Sequence, residues 1–220
     1  MTVTSSRSGS QLGRPVGAEG EQTRQRIIMA AMRCVAEVGY SQASIREIAR
    51  AADMTSGSLY HYFPTKSELL AATAEEIEEI VLPRLHTAAV QSDDPIDRLA
   101  EVLDESKRLV HDYPHLATFL RAIRIESTAQ LQRGDPKYPG SKALRDVVTE
   151  IVEDARAQGL LSADTGAGAA VEAVCALTRG LSEQAASLSP EAYDATLDSV
   201  KRLLSGTLFA RGKRSMVAPQ

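Results

Sequence analysis

The stretch Ser44–Lys66, SIREIARAADMTSGSLYHYFPTK, leaves this chain few ways to fold. Ser44 followed three residues later by Glu47 is a capping box and predicts a helix that opens at Ile45. Ile45, Ile48, Ala49 and Ala52 recur at helical spacing, so that helix has one apolar face. Asp53 comes next, and Asp tolerates the left-handed conformation that a tight turn requires. Thr55 then caps a second short helix, predicted from Ser56 to about Phe63. That second helix is not composed for packing alone. Ser56, Gly57 and Ser58 are poor helix formers, and a mid-helix glycine costs about 1 kcal/mol relative to alanine. A missing side chain lets a partner approach the backbone closely, and small hydroxyls at a helix start hydrogen-bond phosphates or base edges. Tyr60, His61 and Tyr62 add polar groups, and Lys66 adds a cation beyond Pro64. Leu59 and Phe63, four apart, hold the helix to a core. The spacing fits a helix-turn-helix whose second helix enters a major groove, and it equally fits an ordinary helical hairpin.

Composition sets the frame around this stretch. The chain has 220 residues, 43% hydrophobic and 25% charged, which is ordinary for a globular protein with one or two domains. Strand signals are scarce, so the expected class is all-α. The net charge of −4 hides an asymmetry: residues 1–66 hold eight Lys/Arg and five Asp/Glu, and the remainder holds 17 and 24. A basic end on an acidic body suits a nucleic-acid-binding head carried by a different kind of domain. Cys34 and Cys175 lie far apart in apolar helical patterns and read as small buried hydrophobes. There is no disulfide framework or paired-Cys metal spacing. No apolar run reaches the length of a membrane span and the N-terminus lacks a signal-peptide core, so the cytoplasm is the expected compartment.

Along the chain, residues 1–20 are rich in Ser, Gly and Arg and read as a disordered tail. A first helix is expected from Gln22 to Val38, stopped by Gly39. The head then occupies residues 21–66. Thr65 and Glu68 form a second capping box for a long helix in which Pro83 predicts a kink or stop. Asp94-Pro95 opens another helix, running to about His111. Further helices are expected over Pro114–Leu131, Ser141–Gln158, Thr165–Leu188 and Pro190–Ala210, with a break over residues 132–140. The body spans residues 67–210, and residues 211–220 form a second disordered tail.

The capped helix with Ile48-Ala49, then Gly57, Leu59-Tyr60, Phe63, Lys66 and Glu68-Leu69-Leu70, resembles the DNA-binding motif of the TetR (tetracycline-repressor-like) family of bacterial transcriptional regulators. The resemblance covers roughly residues 22–72. Its turn departs from the family pattern, with Asp53 and Met54 where Gly and an aliphatic residue are usual. The resemblance implies a three-helix DNA-binding head, a helical ligand-binding body, and a homodimer formed through the last two helices on double-stranded operator DNA. It also implies a role for the long fourth helix in joining head to body. The DNA-contacting residues implied are Thr23, Ser44, Arg46, Thr55, Ser56, Gly57, Ser58, Tyr60, His61, Tyr62 and Lys66, with Arg24 a further candidate.

Helix bundles bind small molecules in mostly apolar cavities with a few polar groups. Leu103, Phe119, Ile123, Val174 and Leu177 are candidate walls for a small-molecule effector, and Arg124 and Glu126 candidate polar anchors; each wall residue also reads as ordinary core. The scarcity of aromatics favours an aliphatic or acyl ligand over a stacked planar one. No nucleophile motif, phosphate-binding Gly loop or paired-carboxylate signature is present. His111 and His115 have metal-ligand spacing, but Pro114 separates them. No catalytic residue, metal or cofactor is therefore expected. The reading is a ligand-responsive repressor; the alternatives are a regulator tuned by a protein partner or by abundance, and a helical enzyme.

Overall fold

The computed structural model describes residues 16–133, 142–185 and 187–209, which form nine α-helices and no strand. Residues 1–15 of the tail expected at 1–20, the tail expected at 211–220 and most of the expected break at 132–140 lie outside the described residues. Helix α1 runs Val16–Val38, so it begins inside the stretch read as tail. Its stripe of Ile27, Ala31 and Val35 is fully buried, and Gly39 at φ +84 ends it. Helices α2 (Ile45–Ala51) and α3 (Ser56–Tyr60) pack beneath it through Ile48, Ala49, Ala52 and Leu59. Helix α3 is shorter than expected: Phe63 is buried, but in the loop that follows.

Helix α4 (Lys66–Ala89) is continuous through Pro83, where a kink or stop was expected. Proline removes one hydrogen bond there, and packing of α4 against α1, α5 and α7 keeps the element helical. Helix α5 (Pro95–Asp112) is capped by Asp94, whose carboxylate accepts from the Ile96 and Asp97 amides at 2.8 and 3.1 Å. Helix α6 (Leu116–Arg133) starts after Pro114, so His111 and His115 do not share a helix. Helices α7 (Lys142–Ala157) and α8 (Ala167–Gln184) pack closely on each other. Helix α9 (Pro190–Leu204) stops short of its expected end because Gly206, at φ +69, turns the chain so that the Thr207 amide bonds the Arg202 carbonyl at 2.8 Å.

Arg98 ties the far end of the body together. It is buried, and it donates to the Ala89 carbonyl at the end of α4 (2.7 Å) and to Asp154 on α7 (2.8 Å). Phe119 and Ile123, on the face of α6 turned toward α1, are fully buried in the main core. Phe119→Ala is expected to lower the unfolding free energy by about 3–5 kcal/mol in chemical denaturation. A loss below about 1 kcal/mol would mean that the ring does not support the core.

Candidate nucleic-acid interface and body cavity

The turn between α2 and α3 sets the angle at which α3 is presented. Asp53 sits at φ +54, the one non-glycine residue with positive φ among the described residues. Its amide bonds the Arg50 carbonyl (3.2 Å) and the Met54 amide reaches back to Ala49 (3.0 Å), which together make a Schellman ending to α2. Asp53 thus occupies the position where glycine would be free of strain. At the front of α2, Ser44 Oγ accepts from the Glu47 amide (3.2 Å), and the Glu47 carboxylate accepts from the Ser44 amide (3.0 Å) and hydroxyl (2.8 Å). Those bonds hold the Glu47 carboxyl below the ordinary glutamate range.

Thr55 caps α3 by accepting from the Ser58 amide (3.1 Å), and the two hydroxyls share a hydrogen bond of 2.9 Å. Gly57, Tyr60, His61 and Tyr62 are exposed, Tyr60 to 50%, while Ser56 and Ser58 are half-buried. A Cβ on Gly57 would meet only Thr55 Oγ1, at 3.8 Å. The glycine is therefore not required by packing. Arg46 is exposed and makes no ion pair or hydrogen bond with another described residue.

Lys66 is more committed than its sequence position suggests. Its ammonium donates to the carbonyls of Tyr40 and Ser41 and lies 4.8 Å from the centre of the Tyr40 ring. Burial lowers its pKa from the ordinary lysine value, against the opposing charges of Glu126 and Glu47. Thr23 donates back to the Glu19 carbonyl within α1 (2.9 Å). Arg24 pairs with Glu76 of α4 (3.0 Å) and stacks 5.7 Å from the Phe63 ring. Thr65 caps α4, but the Glu68 carboxylate takes the Thr65 hydroxyl (3.0 Å) instead of the backbone amide a full capping box would use.

The body holds a partly open cavity of about 90 Å³ between α4, α5, α6, α7 and α8. Its apolar walls include Ile77, Val81, Leu109, Leu116, Leu120 and Leu144, and its polar groups are Glu78, Ser106, Arg121, Arg124, Thr178, Arg179, Ser182 and Glu183. Arg124 and Glu183 pair at 2.7 Å. Glu78 accepts from the Lys142 and Ala143 amides at the start of α7 (2.9 and 2.6 Å), and burial raises its pKa above the ordinary glutamate value.

The family described as "Bacterial regulatory proteins, tetR family" matches residues 27–73, the span of the head and the first turns of α4. The HTH-type transcriptional regulator UidR of Escherichia coli (strain K12) is 27% identical over 203 residues, covering 90% of this chain and 93% of UidR. Residues 27–73 of this chain thus match a TetR-family DNA-binding head. The HTH-type transcriptional regulator PksA of Bacillus subtilis (strain 168) is 35% identical over 91 residues, which cover 41% of this chain and 44% of PksA. The solved structure of the transcriptional regulator FadR from Bacillus subtilis, in complex with stearoyl-CoA, shares the fold with a TM-score of 0.70. It is 19% identical and covers 84% of this chain and 99% of that one. Among the described residues no helix is long and apolar enough to cross a membrane.

Of the seven residues expected to line an effector site, the structure places only Arg124 at the cavity. Leu103 packs with Leu181 and Leu197 of α8 and α9. Phe119 and Ile123 face α1, and Glu126 on the same side of α6 acts on Lys66 of the head. Val174 packs against the main core and Leu177 is half-buried outside the cavity lining. The opposite face of α6, with Ala117, Leu120, Arg121 and Arg124, is the one that lines the void. Sequence reasoning missed Glu78, Arg121 and Arg179. The spacing of Arg121 and Arg124, three apart beside Ala117 and Leu120, is the signal that would have found that face.

A carboxyl held below its ordinary pKa adds stability that is complete above the unfolded value and is lost as pH falls through the folded one. Wild-type protein therefore loses the Glu47 contribution on acidification. Glu47→Gln, which keeps an acceptor oxygen but does not titrate, is expected to flatten the acid limb of a thermal midpoint against pH profile.

Proposed function

We propose that this protein is a ligand-responsive transcriptional repressor that binds a near-palindromic operator as a homodimer and leaves it when a small hydrophobic effector enters the body cavity. The observation that carries the DNA-binding part is the first turn of α3. It carries only small side chains, exposes Gly57 and is seated on buried Leu59 and Phe63, with a glycine that packing does not need. Residues Thr55 to His61 lie in the major groove, and the two heads read grooves about one helical turn, ~34–36 Å, apart. Thr23, Ser44, Arg46 and Tyr62 fix register on phosphates, and Lys66 adds the one N–H that the Tyr40 and Ser41 carbonyls leave to it. The protein acts in the cytoplasm, and no catalytic step is part of this reading.

The cavity supports the effector part. Ile77, Glu78, Val81 and Leu85 belong to α4, the helix whose first residue is Lys66 of the head. An effector that touches α4 and favours a wider spacing of the heads shifts the dimer off DNA by its differential affinity for the two forms. The apolar walls, and the likeness to a FadR bound to stearoyl-CoA, support an aliphatic or acyl effector. The dimer forms through α8 and α9. Ala169, Ala173, Ala176 and Gly180 present a row of small exposed residues on α8, which lets a second copy approach closely.

Gly57→Ala tests the DNA-binding part. It is expected to leave thermal stability unchanged or raise it by about 0.5–1 kcal/mol, while weakening binding to an operator selected from a random DNA pool by about tenfold. Equal affinity for that operator would remove α3 from the interface. Gly180→Arg, at a position where an added Cβ meets no atom within 4 Å in one protomer, is expected to give a folded monomer in sedimentation analysis.

A further inference from the structure

The mouth of the body cavity carries more positive charge than the fold consumes. Five charged residues line it: Glu78, Arg121, Arg124, Arg179 and Glu183. Glu183 is taken by Arg124, and Glu78 is engaged by the two amides at the start of α7. Arg121 has no hydrogen bond or ion pair with another described residue. Arg179 has no hydrogen bond or ion pair with another described residue, and the carboxylate of Glu172 is already held by both terminal nitrogens of Arg145 (2.6 and 3.1 Å). Two guanidiniums thus stand at the rim of an apolar void. Guanidinium is the group best shaped for carboxylate and phosphate oxygens.

The void itself is short. At about 90 Å³ it is smaller than the ~150 Å³ apolar cavity that admits benzene. A second void of about 20 Å³ lies between α1 and α4, lined by Ile28, Met29, Met32, Ile80 and Tyr113 among others. The two voids share Ile77, Val81 and Leu116 as a common wall. Methionine side chains repack easily around an incoming chain. Just beside this second void, Glu76 clasps Arg24 and Gln25 of α1, which holds the head against α4.

We propose that the effector is an anionic amphiphile whose charged head rests on Arg121 and Arg179. Its apolar chain passes the wall formed by Ile77, Val81 and Leu116 and enters the seam between α1 and α4. The inference rests on reading the body as an effector-binding domain. Its consequence is that chain length governs release. A short chain fills the first void and leaves the seam closed. A long one parts α1 from α4 and works against the Glu76 clasp, which tilts the head.

The test uses the full-length protein and three ligand series with butyryl, octanoyl, dodecanoyl and palmitoyl chains: thioesters of coenzyme A, free fatty acids and neutral methyl esters. Calorimetry reads binding, and fluorescence anisotropy reads release of a pool-selected operator. At least one anionic series is expected to bind at least about tenfold more tightly than the methyl esters, and to release the operator only with the longer chains. The thioester and fatty-acid arms tell a phosphate-bearing head from a carboxylate. Arg121→Ala is expected to weaken the anionic series about tenfold and leave methyl ester binding as it was. Val81→Phe, which narrows the shared wall, is expected to weaken palmitoyl binding and spare butyryl. Equal binding of charged and neutral series, or release independent of chain length, would overturn the inference. Release of the operator by an uncharged compound alone, found in a metabolite screen, would also overturn it and leave the effector reading standing. Operator binding that no compound in the series or the screen disturbs would overturn both.

Discussion

The structure depends on the double burial of α4. Its N-terminal half contributes Leu69, Leu70 and Ile77 to the core under α1, and its C-terminal half contributes Leu85, Ala88 and Ala89 to the core shared with α5 and α7. Both halves of the protein therefore close on one rod of 24 residues. At ~1.5 Å per residue that rod runs from the cavity wall to the base of the head without any loop in between. Arg98 secures its far end by taking the Ala89 carbonyl, and Thr65 secures its near end by capping the Glu68 amide. Pro83 interrupts one backbone bond of the rod but does not divide it.

The head was legible in the sequence because each of its local signals agrees with the others. Ser44 and Glu47 fix the start of α2, Asp53 adopts the left-handed turn, Thr55 opens α3, and the apolar spacing of Ile48, Ala49 and Leu59 points inward. Such short-range rules need no knowledge of the rest of the chain. The ends of α1 and α9 were less legible. The first was hidden by a glycine-rich opening, and the second was cut by Gly206, whose effect depends on its φ.

The cavity was not legible, for a different reason. Sequence patterns find large apolar side chains, and these are the residues that fill space. Phe119, Ile123 and Leu103 are buried because they leave no room. A void arises where smaller or mixed residues face one another, as Ser106, Ala117, Ala143, Thr178 and Ser182 do here. Glu78 shows the same limit: as one acid among several on α4 it has no distinguishing neighbour in sequence, and its partners at Lys142 and Ala143 lie 64 and 65 residues away.

The seat of Lys66 carries a final implication. By holding the carbonyls of Tyr40 and Ser41 and the face of the Tyr40 ring, it welds the bend after α1 to the first turn of α4. The three amino-terminal helices are thereby tied into one block with the first turn of α4. On the proposed function, base recognition and head spacing would then be separable variables. The outward side chains of α3 would be free to drift toward a new operator without retuning the response to effector, and the cavity to change its ligand without losing the operator.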